Sequence, residues 1–251
     1  MRLNIVPART GLQWIKLGVR TFLRQPLALA GLFFMYMTVV IVIAQVPVIG
    51  VFVGGLLVPA ATLGLMAATE EASKGRFPMP SVLLSAFRAG RQRVRAMLVL
   101  GLVYTLASWL VTRLAALLFG EPDPGMEIDG AAILALALHI PLFLMFWHAP
   151  ALVHWHGVTP AKSLFFSLVA CLRNFGAYFV YGLGWLGLFI ATGMLFALLG
   201  GILGGAGMAR AVMMPLALLL AAMFSTSIYF TFRDSFVATG EPGEERHQEA
   251  P

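Results

Sequence analysis

Apolar runs long enough to cross a bilayer recur six times along the 251 residues, near 26–45, 47–69, 96–118, 131–154, 176–200 and 211–232. A hydrocarbon core about 30 Å thick takes about 20 residues of helix at 1.5 Å each. Backbone amides in lipid must bond within their own segment, so each run predicts a transmembrane helix. The first run follows a basic leader, and the second run comes almost at once, with no small-residue cleavage site closing a short apolar core. It therefore reads as a retained span and not as a cleaved signal.

The polar positions between the runs have their own period. Ahead of the first span, Leu12, Ile15, Val19, Phe22 and Leu23 share one helical face, while Arg9, Gln13, Lys16, Arg20 and Arg24 step along another. Ahead of the third, Leu83, Phe87 and Val94 oppose Ser81, Ser85, Arg88 and Arg95; ahead of the fifth, Leu164, Leu168 and Leu172 oppose Ser163, Ser167 and Asn174. Each segment ends in a related tripeptide: Leu23-Arg24-Gln25, Gly90-Arg91-Gln92 and Leu172-Arg173-Asn174. Pro80 and Pro160 open the second and third segments, as suits a first helical turn. The pattern predicts amphipathic helices lying in the cytoplasmic interface, apolar side down and cations toward headgroups. The other reading makes them the ends of longer, tilted spans. The expected fold is an all-α polytopic membrane protein, a single six-helix domain over 1–238, in three units of interfacial helix and helix pair. Residues 239–251, with four glutamates, predict a disordered acidic cytoplasmic tail.

Composition agrees: 60% of residues are hydrophobic and 11% charged, with mean hydropathy +0.88. Charge adds orientation. Of the 17 Lys and Arg, only Arg113 and Arg210 fall on one side of the spans. The positive-inside rule then places both termini and both long basic connections in the cytoplasm. Glu121, Asp123, Glu127 and Asp129 fall in the third-to-fourth loop, which becomes external. Cations that flank apolar spans argue against nucleic acid as partner. The single cysteine, Cys171, reads as a small apolar filler.

Several short stretches identify a resemblance. Val6-Pro7-Ala8-Arg9, then Gly11-Leu12-Gln13-Trp14 and a Phe-rich first span, open the chain; Trp147-His148-Ala149-Pro150-Ala151-Leu152-Val153 and Cys171-Leu172-Arg173-Asn174 follow. Over nearly its whole length except the tail, the chain resembles an uncharacterised betaproteobacterial family of inner-membrane proteins. The resemblance implies six membrane helices and brings no activity with it.

Candidate chemistry is sparse. His139, His148, His154 and His156 crowd one region, but their separations of nine, six and two residues scatter them around a helix, and no acid or cysteine joins them. No metal or other cofactor is expected. His139 sits deep in the fourth span, where an ionisable side chain lines a polar path or else donates to a nearby carbonyl. Arg113 lies just inside the external end of the third span and can snorkel outward. Pro59, Pro141, Pro150 and Pro215 interrupt second helices, which serves packing kinks or the broken helices of transporters. Gly182-Leu183-Gly184-Trp185-Leu186-Gly187 spells a dinucleotide fingerprint, but no strand precedes it and lipid surrounds it. Such glycines serve close helix packing, within the chain or between copies.

The expected function is non-enzymatic: engagement of anionic lipid headgroups, or of membrane-protein partners including a second copy, through basic interfacial helices. The headgroup candidates are Arg20, Arg24, Arg88, Arg91, Arg95 and Arg173. The rival expectation is a small-solute or ion transporter with a path near His139. It needs facing polar groups, and the spans offer few: Thr62, Tyr104, Ser108, Thr112, Thr192, Ser225, Thr226 and Ser227.

Overall fold

A computed structural model describes residues 1–47, 49–120, 130–203 and 205–237. The acidic third-to-fourth loop and the tail from 239 onward lie outside the described residues, as does the side chain of Arg210. Six helical stretches are long and apolar enough to cross a membrane: Pro26–Ala44, Ile49–Ser73, Arg91–Phe119, Ala132–His156, Phe175–Leu199 and Met213–Ser235. The helices are α1 (Thr10–Arg24), α2 (Pro26–Ala44), α3 (Ile49–Ser73), α4 (Ser85–Arg88) and α5 (Arg91–Phe119). They continue as α6 (Gly130–Phe146), α7 (Ala149–His156), α8 (Pro160–Arg173), α9 (Phe175–Leu203) and α10 (Gly205–Ser235). A 3₁₀ turn over Pro80–Leu84 precedes α4.

The segments ahead of the odd spans are separate from them, each for a local reason. Gln25 leaves helical space at φ −140°, ψ 59° because Pro26 follows it and excludes the helical conformation from the residue before. Gly90 has φ +91°, a conformation other residues rarely adopt. Asn174 breaks the third junction at φ −104°, ψ 24°. The middle segment is only the 3₁₀ turn and the single turn of α4, so Val94 belongs to α5 and does not share a helical face with Leu83 and Phe87. All three junctions lie at one end of the bundle. Gln25 Nε2 donates to the Arg76 carbonyl (3.2 Å) and Asn174 Nδ2 to the Asn4 carbonyl (3.0 Å). The chain's start and the end of α10 meet there too: β1 (Arg2–Leu3) pairs antiparallel with β2 (Phe236–Val237), Arg2 opposite Val237. This is the basic end.

The faces differ from the expected ones. In α1, Leu12 and Leu23 are exposed, and the buried face is Gly11, Trp14, Ile15, Gly18, Thr21 and Phe22. Glycine decides this: a Cβ on Gly11 would sit 2.3 Å from the Ala177 carbonyl oxygen, and one on Gly18 2.4 Å from Ser227 Cβ. Thus α1 packs its backbone against α9 and α10 and keeps Lys16, Arg20 and Arg24 exposed. In α8 the inversion is partial: Leu164 stays buried, but the hydroxyl side turns inward with it. Ser163, Ser167 and Asn174 are buried while Leu172 is exposed. Association between helices in lipid gains little from apolar burial, so small and hydroxyl-bearing sides turn inward.

The fourth span is the one that breaks. α6 stops at Phe146 and α7 starts at Ala149 with Pro150 in its first turn. Pro59, Pro141 and Pro215 lie inside continuous helices.

Candidate functional site

The break at Trp147–His148 frees backbone groups that lipid cannot satisfy. The inward face of α8 takes them up. Ser167 Oγ donates to the Leu144 carbonyl (2.7 Å) and accepts the His148 N–H (2.9 Å). His148 is fully buried. Its ring pairs with the Tyr178 hydroxyl (Nε2···O 2.5 Å) and lies against Phe232 and Phe236. Trp147 Nε1 donates to Thr231 Oγ1 (2.9 Å), and Tyr181 shares a 2.6 Å hydrogen bond with Ser227. Trp14 Nε1 donates to Asp234 Oδ2 (3.0 Å), whose other oxygen meets Arg233 at 2.8 Å. These bonds tie α1, α7, α9 and α10 together at the basic end.

Asn174 completes the network by clamping the chain's start. Its Oδ1 accepts the Val6 N–H (2.8 Å) and its Nδ2 donates to the Asn4 carbonyl. The Asn4 N–H in turn donates to the Ser235 carbonyl (2.9 Å), and Asn4 Nδ2 to the Asp234 carbonyl (2.9 Å). Cys171, beside it, is buried with Sγ 3.8 Å from the Leu144 carbonyl, and burial pushes its thiol up to about 12 from an ordinary 9.0. At neutral pH it stays a protonated filler.

The second feature is an open cleft of about 410 Å³ on the same end, between the 77–89 connection, the start of α5 and the end of α7. Glu71, Ser81, Ser85, Arg88, Arg93 and His154 give it a polar side; Phe77, Met79 and Val82 give it an apolar one. Glu71 is already engaged by Arg76 through bonds of 2.5 and 2.7 Å. Arg88 and Arg93 make no side-chain hydrogen bond or ion pair among the described residues. They stand on either side of the Gly90 bend, which points them into one space.

Of the arginines singled out from sequence, Arg88 lines this cleft, whereas Arg91 and Arg95 are exposed on α5 outside its lining. Arg20, Arg24 and Arg173 are exposed elsewhere on the basic end. Arg93 was not singled out. The step-by-four logic skips it, because only the Gly90 turn and α7 together set it opposite Arg88. His139 is half-buried and its Nδ1–H donates to the Ala135 carbonyl at 2.7 Å, the local alternative to a polar path. Arg113 is exposed toward the other end of α5, apart from the cleft. Among the described residues no three His, Cys, Asp or Glu side chains gather as metal ligands.

The chain is 38% identical over 263 residues to a probable inner membrane protein of Burkholderia thailandensis, a match that covers 97% of this chain and 96% of that protein. No family model matches it, nor does any solved structure.

Proposed function

The chain belongs to this betaproteobacterial family of multi-pass inner-membrane proteins, and on that premise we propose that it is non-enzymatic and gathers anionic lipids, or membrane partners carrying them, at its basic end. In this reading the basic end, with both termini, is cytoplasmic. The cleft carries the proposal: it sets two unpaired guanidinium groups beside apolar side chains, the pairing of charge and apolar surface that a lipid headgroup and its acyl chains would meet. Exposed Arg20, Arg24, Arg91, Arg95 and Arg173 extend the same positive field around the end.

The transporter reading receives less support. Three of the hydroxyls that would have to face a path close back on their own helices, Thr62 to the Val58 carbonyl, Thr112 to Ser108 and Thr226 to Ala222, and Ser227 pairs with Tyr181. Native mass spectrometry of the full chain tests the proposal. Replacing Arg20, Arg24, Arg88, Arg91, Arg95 and Arg173 together with glutamine should strip most retained anionic lipid, since each near-surface cation contributes roughly 1 kcal/mol. Unchanged retention would refute it. A fluorescent protein fused to the C-terminus should fold and fluoresce, and a periplasmic reporter at that position should stay inactive.

A further inference from the structure

We infer that the cleft at the start of α5 is a binding site for a single phosphomonoester group carried on a lipid. This rests on the reading of the basic end as lipid-engaging and narrows it to one place and one headgroup chemistry.

Charge gives the headgroup. Of the charged residues lining the cleft, Glu71 is neutralised by Arg76, which leaves Arg88 and Arg93 uncompensated. Two guanidinium groups suit a phosphomonoester, which carries about −1.5 to −2 at pH 7, better than the single charge of a phosphodiester. The backbone adds to them. α5 is 29 residues long, begins after Gly90 with no side-chain cap and has no acid in its first turn, so its first amides and its dipole face an uncompensated end. The Ser81 hydroxyl, also in the lining, is a further donor without a partner among the described residues.

The apolar side gives the lipid. Phe77 and Met79 line the cleft yet are 65% and 61% exposed, and Leu84 and Phe87 on the same connection are exposed as well. A soluble anion has no use for that surface, whereas an acyl chain leaving the cleft would cover it. The volume, about 410 Å³, lies within the span typical of small-ligand sites.

The test is a native mass spectrometry titration of the full chain with phosphatidic acid, with phosphatidylglycerol of the same acyl chains, and with inorganic phosphate. One saturable phosphatidic acid should bind, at least about fivefold tighter than phosphatidylglycerol. Arg88→Gln and Arg93→Gln should each weaken it about fivefold to tenfold, in line with the loss of one near-surface cation. Arg88→Lys should weaken it less than Arg88→Gln. The Arg20→Gln/Arg24→Gln pair should lower total anionic-lipid retention and leave the phosphatidic acid preference intact. Equal binding of the two lipids, or equal effects of the two pairs of substitutions, overturns the site while general lipid engagement stands. Inorganic phosphate binding as tightly as phosphatidic acid overturns the lipid-borne assignment. Loss of all anionic-lipid retention differences among the variants overturns the underlying reading as well.

Discussion

Replacing Asn174 with leucine keeps the side chain's bulk and deletes both of its bonds to the chain's start. Asn174 is 2% exposed; its partners are the Val6 N–H at 2.8 Å and the Asn4 carbonyl at 3.0 Å. Leucine leaves one donor and one acceptor unanswered in a part-buried site. A buried group left unsatisfied costs about 1–3 kcal/mol, and partial access of water favours the low end. The segment spanning residues 2–6 should therefore lose about 2–3 kcal/mol of protection against local opening. At 1.4 kcal/mol per decade this is roughly a 30- to 150-fold rise in amide exchange. The bonds from Asn4 to Ser235 and Asp234, and the pairing of Arg2 with Val237, remain to hold the segment near its place. Hydrogen-exchange mass spectrometry in detergent reads the N-terminal peptide, with a peptide from the buried part of α3 as internal standard. Asn174→Asp keeps an acceptor for Val6 but sets a carboxylate oxygen against the Asn4 carbonyl, so it should not restore wild-type protection. Unchanged exchange over residues 2–6 in a folded Asn174→Leu protein would show that the clamp is not what holds the chain's start.

Gly18→Val should lower the melting temperature in detergent, because its Cβ would stand 2.4 Å from Ser227 Cβ and 2.7 Å from Ser227 Cα, contacts relieved only by parting α1 from α10. Overpacking of this kind costs about 1–3 kcal/mol. Gly31→Ala, with nothing within 4 Å, should melt at or slightly above the wild-type temperature, and indistinguishable melting of the two variants would sink the packing argument. His139→Ala should cost less than about 1 kcal/mol, since it removes one bond to its own helix. It should also leave any ion flux in proteoliposomes at the wild-type level, whereas a flux lost with His139 would revive the transporter reading. For Cys171, burial raises the thiol to about 12 in the folded state against 9.0. Its contribution is complete below pH 9, where both states are protonated, and it falls as pH climbs from 9 toward 12 because the unfolded thiol ionises first. Wild type should thus lose stability faster than Cys171→Ala between pH 9 and 10.5, and parallel decline of the two would contradict the burial account.

Spans were legible in the sequence because lipid imposes one rule on every residue of a crossing helix. Their ends were less so. α3 runs on to Ser73 and α5 starts at Arg91, past the limits of the apolar runs, because a helix's hydrogen-bond ladder does not stop where charge begins. The faces of α1 and α8 were misread for a deeper reason. Hydropathy assigns polar sides to water, yet Ser163, Ser167 and Asn174 point into the protein, where a broken helix and the chain's start need donors and acceptors. The signal for this was present: Trp147-His148-Ala149-Pro150 marks a break, and a break in lipid needs hydroxyls or amides nearby. The basic character of the cleft was legible through Arg88, but its geometry was not, since Arg88, Arg93 and His154 come from three elements.

That geometry is held from beneath, which bears on how well the cleft can discriminate. The 3₁₀ turn that forms one wall is pinned to α3 where a Cβ on Gly64 would meet the Leu83 carbonyl oxygen at 2.7 Å, and Ala86 beyond it is buried. The opposite wall is α7, whose Ala149, Ala151, Leu152 and Val153 are buried and whose first turn is fixed by the bonds at His148. Between them α5 is anchored by Gly101, where a Cβ would stand 2.1 Å from the Leu56 carbonyl oxygen. By contrast, only 6% of the most apolar stretch of α9 is buried, so most of that helix faces outward from the bundle. Close backbone contacts thus concentrate where the cations are. A site built on such fixed supports loses little ordering entropy when it fills, and its preference among headgroups is then set by charge and shape. Among the three cleft side chains Arg88 has the least supported backbone, that of the four-residue α4, whereas Arg93 and His154 rise from longer helices.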